Sequence, residues 1–371
     1  MINYKKIENN LDDKKIEIFS NFKNLAISTL VLENESPFEI LVKVGEEVKI
    51  NQPILKNTDG QKILSDVSGK VLNIKLKEEN DSLLTYHLII ENNFKNESLN
   101  CNIKPIKTKD DLLNSIKVYG IINKNFLIYK ELEATKNTLF IDCYDEPFIY
   151  NNFVILSNFL KEIKFVISKL QQILNIEKIY YFTNKTNLAM VREISNYKDK
   201  ICVKRCRHKA VDMFDLYKIF MLFNNKILDY EILSLTGKAL KENKVLFVKK
   251  GTSLQEIIDK VGGFKQNIEE VENYKYTAML AYNDEIELKE KIKRCKNDVD
   301  RQKLIKLFEE KKLEAKTNIF DKLEIYHQKY LDCLSTCLIT IKNKKTPIKN
   351  FNLSIKNNFS GVHFLNNKQF Q

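Results

Sequence analysis

The sequence predicts a multidomain α/β chain on three observations. Between residues 38 and 90, short apolar runs alternate with glycine turns, the pattern of a small all-β unit. Between residues 112 and 223, apolar runs of strand length alternate with amphipathic stretches of helix length, which implies a parallel sheet with helices packed on it. Between residues 231 and 264, two strand runs and a short helix make a compact third unit. At 371 residues the chain is long enough for several cores of this kind.

Residues 1–37 are polar, with one candidate strand at 25–32. Strands are expected at 40–44, as a pair over 48–55, at 63–67, at 70–76 and at 86–90. Asp59-Gly60 is the strongest hairpin signal among them. Residues 91–111 are polar and read as a linker, and a helix is expected over 112–119, followed by Gly120. Residues 139–141 then suit a buried strand end, followed by three carboxylates, Asp142, Asp145 and Glu146. Pro147 interrupts the backbone donors. Asn152 suits an N-cap, and Phe159, Leu160, Ile163, Val166, Ile167 and Leu170 step at helical spacing over 153–174. Strand, acidic turn and helix form the layout of a ligand-facing edge in an open α/β sheet. A solvated acidic turn is the plainer alternative.

Further strands are expected at 179–182 and 201–203, and helices at 187–197 and 213–223. The third unit reads as strands at 232–237 and 244–248 and a helix over 254–261, with Gly262-Gly263 suited to its C-cap. Residues 284–331 are charged and helical. Leu288, Ile292, Cys295 and Val299 form a seam there, against either a solvated face or a helical hairpin for a partner. Three short strands are expected at 337–341, 351–355 and 361–365.

The formal charge of +12 comes from 61 basic and 49 acidic residues, and only five of the basic residues are Arg. Scattered Lys is a weaker pointer to nucleic acid than a clustered face, so no nucleic-acid partner is expected. A long-range attraction to an anionic membrane stays open. Arg205-Cys206-Arg207-His208 is the densest basic spot, suited to a phosphate, to a lipid, or to a plain exposed loop. No apolar run of about 18 residues occurs, so no transmembrane segment is expected. The charged residues 1–22 show no secretory signal, and the seven scattered cysteines suit a reducing cytoplasm. Cys333 and Cys337 read as structural thiols, and Cys202, Cys206 and His208 lack a fourth metal ligand nearby. The four histidines are far apart in sequence, and no nucleophile–base arrangement is legible.

The run V-K-V-G-E-E-V-K-I-N-Q-P-I-L at 42–55, with V-S-G-K-V-L-N-I at 67–74, resembles the barrel-sandwich hybrid fold of biotinyl and lipoyl carriers. Lys62 stands nearest the carrier position and is expected to be an unmodified lysine. Three blocks then occur in one order: residues 38–76, Asp145-Glu146-Pro147-Phe148-Ile149, and Ile232-Leu233-Ser234-Leu235-Thr236-Gly237-Lys238-Ala239 with 249–264. Over roughly residues 38–264 that order resembles the RnfC family, a peripheral component of the Rnf ion-pumping ferredoxin:NAD oxidoreductase. The corresponding component of the sodium-pumping NADH:quinone reductase, of the Nqr type, is a more distant likeness. The centre is also similar to the NADH-binding flavoprotein of respiratory complex I.

The resemblance implies four domains. They are a barrel-sandwich hybrid over 1–100, a Rossmann-like α/β domain over 101–229, an SLBB-like β-grasp over 230–275 and a helical and β extension over 276–371. It implies FMN or NADH as cofactor, with Gly120, Asp145 and Glu146 as binding residues. It also implies integral-membrane partner subunits and a peripheral position on the cytoplasmic face. The family's G-x-G-G-A-G-F-P loop is here Tyr119–Leu127, where Gly120 alone keeps the pattern, and its cluster-binding cysteine runs are missing, so no iron–sulfur cluster is expected. Two functions follow: a component of NADH-linked electron transfer, or a redox-inactive scaffold derived from one.

Overall fold

The computed structural model describes residues 16–19, 22–31, 36–78, 84–123, 126–145, 149–237, 240–263, 288–294, 297–310, 335–341, 344–347 and 359–366. After β1 (Glu17–Phe19), an N-terminal β unit is built from two small antiparallel sheets. One has β2 (Asn24–Ser28), then β8 (Leu84–Asn92), β7 (Gly69–Glu78) and β4 (Glu47–Val48), in that spatial order. The other has β3 (Glu39–Ile40), β5 (Pro53–Lys56) and β6 (Lys62–Leu64). Leu25, Val71, Leu88 and Ile90 of the first and Ile54, Leu55 and Ile63 of the second are buried in the core. The strand expected at 40–44 is cut to two residues. The Glu46 carboxylate accepts the Lys43 N–H at 2.9 Å, which starts a turn early. Gly69 is required by close approach: a Cβ there would lie 1.8 Å from the Glu91 carbonyl oxygen.

The middle of the chain forms a parallel sheet. α1 (Lys109–Val118) starts at a capping box between Thr108 and Asp111. α2 (Ile128–Ala134) has no side-chain cap and exists because Ile128, Tyr129 and Leu132 are buried, a signal too short to read from periodicity. β9 (Thr138–Cys143), α3 (Asn151–Leu174), β10 (Lys178–Thr183), α4 (Leu188–Ile194), β11 (Lys200–Cys202), β12 (Val211–Asp212) and α5 (Met213–Phe223) follow. The strands lie in the order β11-β10-β9-β12, all parallel. Leu139, Ile141, Ile179 and Tyr181 bury one face of this sheet. Phe140, Tyr180 and Lys200 alternate onto the other face, which is only partly covered.

β13 (Glu231–Gly237) and β14 (Lys244–Val248) pair antiparallel, and α6 (Leu254–Lys260) starts at a capping box of Ser253 and Glu256. Their sheet also takes in β1, β15 (Ser335–Ile341), β16 (Lys344–Pro347) and β17 (Phe359–Asn366), in the order β1-β14-β13-β17-β15-β16. It therefore crosses the boundary at 275/276 drawn from the sequence. Residues 288–294 and 298–310 are helical. The seam expected there buries Leu288 but leaves Val299 63% exposed. Cys295, Cys333 and the strand expected at 351–355 lie outside the described residues. Among the described residues no helix is long and apolar enough to cross a membrane.

Charged side chains join the three units. Asp66, 1% exposed, pairs with Lys250 at 3.1 Å and accepts its backbone N–H at 2.9 Å. Lys218 on α5 pairs with Glu231 on β13 at 3.0 Å, and Lys249 pairs with Asp229. These pairs lie along a cleft of about 20 Å³, room for one water. Burial raises the pKa of Asp66, against the pull of Lys250. Burial alone would lower the pKa of Lys250, but Asp66 and Glu231 hold it above its ordinary value.

Two outcomes are expected. Asp66→Asn and Lys250→Met each cost about 3–5 kcal/mol in urea unfolding, because each leaves a buried partner unpaired, and the double variant costs less than their sum. A raised carboxyl binds its proton more tightly folded than unfolded. In Lys250→Met, stability therefore rises as pH falls from the raised Asp66 value toward the ordinary carboxylate value, the reverse of common acid destabilisation.

Candidate functional site

The sequence points to the carboxyl edge of the parallel sheet, where open α/β sheets take ligands. Asp145 follows β9 there and is 7% exposed. Its Oδ1 accepts the backbone N–H of Asn152 at 3.0 Å, and its Oδ2 accepts that of Phe153 at 2.8 Å. The Asn187 amide adds a third donor to Oδ2 at 3.0 Å. The helix start thus differs from the expectation. Asn152 lies inside α3 rather than capping it, because Asp145 reaches the first-turn donors from outside the helix.

Asn152 instead ties the edge together. Its amide donates to the Tyr144 carbonyl at 3.1 Å, and its Oδ1 accepts the Met213 N–H at 3.2 Å. Asp212 and Asp215 form the capping box of α5, and the Asn123 amide donates to Asp215. Burial pushes the Asp215 carboxyl well above its usual range, and the neighbouring Asp212 charge adds to this. From β13, the Ser234 hydroxyl meets the Asn151 side chain at 2.6 Å. Ile121 and Ile122 are buried. The edge is a packed polar network closed by residues 121–123. Asn123, Asn187, Asp212 and Asp215 were not singled out from the sequence. Asp212-x-x-Asp215 carries a capping-box spacing that reveals two of them, whereas Asn123 and Asn187 carry no local signal.

Gly120 sits elsewhere. It lines the cleft between units with Asp66, Lys218 and Lys250, and Asp145 is not part of that lining. Its φ is +73°, and a Cβ there would lie 2.9 Å from the Lys62 carbonyl oxygen. Glu146 lies outside the described residues, so of the three expected binding residues only Gly120, at the cleft, and Asp145, at the sheet edge, are described.

The β5–β6 hairpin, where carriers present their lysine, is docked. Asp59 accepts the Tyr129 hydroxyl at 2.7 Å and pairs with Lys130 at 3.0 Å. Those two contacts hold its carboxyl below the usual range. The Gln61 amide donates to the Ile116 carbonyl at 3.3 Å. Further along, the Cys206 thiol donates to the His208 carbonyl at 3.4 Å, and burial pushes the thiol up to about 11. Among the described residues no group of three or more His, Cys, Asp or Glu could hold a metal ion.

For FMN or NADH, the test is whether N–H donors and open space await a phosphate. In the described residues the N–H groups at the start of α3 are taken by Asp145, and the space above Gly120 is taken by β6. These residues do not fit a phosphate at either place.

No family model matches the chain, and no curated protein matches it. Among solved structures, it is similar to an NAD+-reducing nickel–iron hydrogenase in the air-oxidized state, at 9% identity and a TM-score of 0.35. The H2-reduced state gives 8% identity and the same TM-score. Each match covers 42% of this chain and 39% of the hydrogenase chain, so this chain spans about two fifths of the length of those neighbours.

Asp145→Ala is expected to cost about 1–3 kcal/mol in thermal or urea unfolding, since it orphans buried donors at the start of α3. Gly120→Ala is expected to destabilise by about 1–3 kcal/mol, from the positive φ together with the clash against β6.

Proposed function

We propose that this chain is a redox-inactive docking component of a membrane electron-transport complex of the Rnf type. It would stand on the cytoplasmic face and hold integral-membrane partners there. Its three units would keep the ancestral barrel-sandwich, Rossmann-like and SLBB-like folds as partner surfaces. No electron-transfer step is assigned to this chain's own side chains.

One observation carries this proposal. At the two places considered for a phosphate the chain's own groups stand instead, Asp145 on the N–H groups of α3 and the Lys62 carbonyl over Gly120. The docked β5–β6 hairpin supports it, because a clamped hairpin cannot swing as a carrier arm. The competing function is NADH-linked electron transfer, with FMN or NADH held near Gly120, Asp145 and Glu146.

The purified protein is expected to be colourless, with a melting midpoint unmoved by NADH or FMN. A flavin spectrum, or a midpoint raised by either ligand, overturns the proposal in favour of the competing function. Affinity capture in mild detergent is expected to recover integral-membrane subunits, and recovery of none counts against it.

A further inference from the structure

The connection from β11 to β12 joins the two outer strands of the parallel sheet, so it must cross β10 and β9. It does so without a helix. His208 stacks on Phe140 at 4.7 Å, which places the crossing on the face away from buried Leu139 and Ile141. Residues 203–209 thus form a strap across the face that carries Phe140.

The outer side of that strap is basic. Lys204, Arg205, Arg207 and Lys209 are exposed, as are Lys178, Lys198 and Lys200 beside it. The Lys178 and Lys200 ammonium groups both lie over the Tyr180 ring, at 5.2 and 5.7 Å from its centroid. Over residues 197–209 there are six basic residues and one carboxylate, Asp199. Both oxygens of Asp199 accept backbone N–H groups, from Ile179 at 3.1 Å and Asn196 at 2.8 Å. Apolar side chains are exposed within the basic patch, with Tyr197 at 92% and Val203 at 51%.

We propose that this strap, with the adjoining β10–β11 edge, is the surface that lies against a bilayer carrying anionic headgroups. Charge complementarity selects the partner: a broad cationic face carrying exposed apolar side chains suits a headgroup layer that takes both. Single-stranded nucleic acid is the competing occupant, because the exposed Tyr197 ring would take a stacked base, and the test separates the two. The assignment deepens the proposed function, resting on it for the choice of a membrane-bound setting, while the patch itself stands on the strap's geometry.

The test is sedimentation of the full chain with phosphatidylglycerol–phosphatidylcholine vesicles, against phosphatidylcholine alone. Binding is expected only to the anionic vesicles, falling with added salt. Replacing Lys200, Lys204, Arg207 and Lys209 by Gln is expected to weaken it on the order of a hundredfold or more. The charge-matched replacement of Lys161, Lys164, Lys303 and Lys306 is expected to leave it within a few-fold. Equal loss in both variants overturns the proposal, because net charge would then suffice. So does equal binding to neutral vesicles, or tighter binding to single-stranded nucleic acid at the same salt. Hydrogen exchange of the unaltered protein supplies a readout independent of the variants. Vesicle-dependent protection is expected over residues 197–209, and protection elsewhere alone overturns the assignment. A chain that captures membrane subunits in detergent but ignores vesicles defeats this inference and leaves the docking function standing. One that binds vesicles but captures none defeats the docking function alone.

Discussion

Asp66 lies 1% exposed where three units of the chain meet, and a carboxylate there must find a cation or keep its proton. Its cation, Lys250, comes from beyond β14, a long way along the sequence. Lys218 from the parallel-sheet unit and Glu231 from β13 form the next pair along the same cleft. The Asp66–Lys250 and Lys218–Glu231 pairs each join two units. Separating the units would expose or orphan several charges at once, so docking and folding are coupled. The cost of burying such pairs is high, and their value lies in fixing one arrangement of the units.

That arrangement decides what the β5–β6 hairpin can do. With Asp66 seated, β6 runs past Gly120 so closely that no Cβ fits, and the hairpin tip rests on α1 and α2 through Asp59 and Gln61. The same docking accounts for two features that suggested a cofactor or carrier role in the sequence. The hairpin is held at its tip, and the glycine faces the Lys62 carbonyl of β6. A glycine kept for backbone approach and one kept for a phosphate are identical in sequence. Only the neighbour distinguishes them, and here the neighbour is the chain's own carbonyl.

The sequence was most legible where one local signal sufficed. The helix expected over 213–223 and the strand over 244–248 match α5 and β14, because the apolar spacing and turn residues there agree with burial. β12 and α2, of two and seven residues, escaped because tertiary burial rather than local pattern makes them. The sheet that joins β1, β13 and β17 was illegible for another reason. Its strands come from both ends and the middle of the chain, and no local rule specifies such pairing. At the carboxyl edge, the acidic turn was legible as a cluster of carboxylates, but which way Asp145 faces was not.

The direction of Asp145 follows from what a helix start requires. α3 opens on Asn151 with no cap from its own neighbour, Tyr150, leaving first-turn donors exposed toward the strand end. An anionic ligand or an acidic side chain can meet that need, and the electrostatics of the helix terminus favour either. Asp145 is tethered seven residues before Asn152, so it competes at a local concentration that no free ligand matches. Asn187 then holds the same carboxylate from α4's side and leaves it no rotamer that frees the donors without breaking a second bond. An acidic residue at a ligand-facing edge can therefore mark a binding site, or it can be the side chain that stands in the ligand's place. Hydrogen bonds to the helix's own N–H groups put Asp145 in the second class.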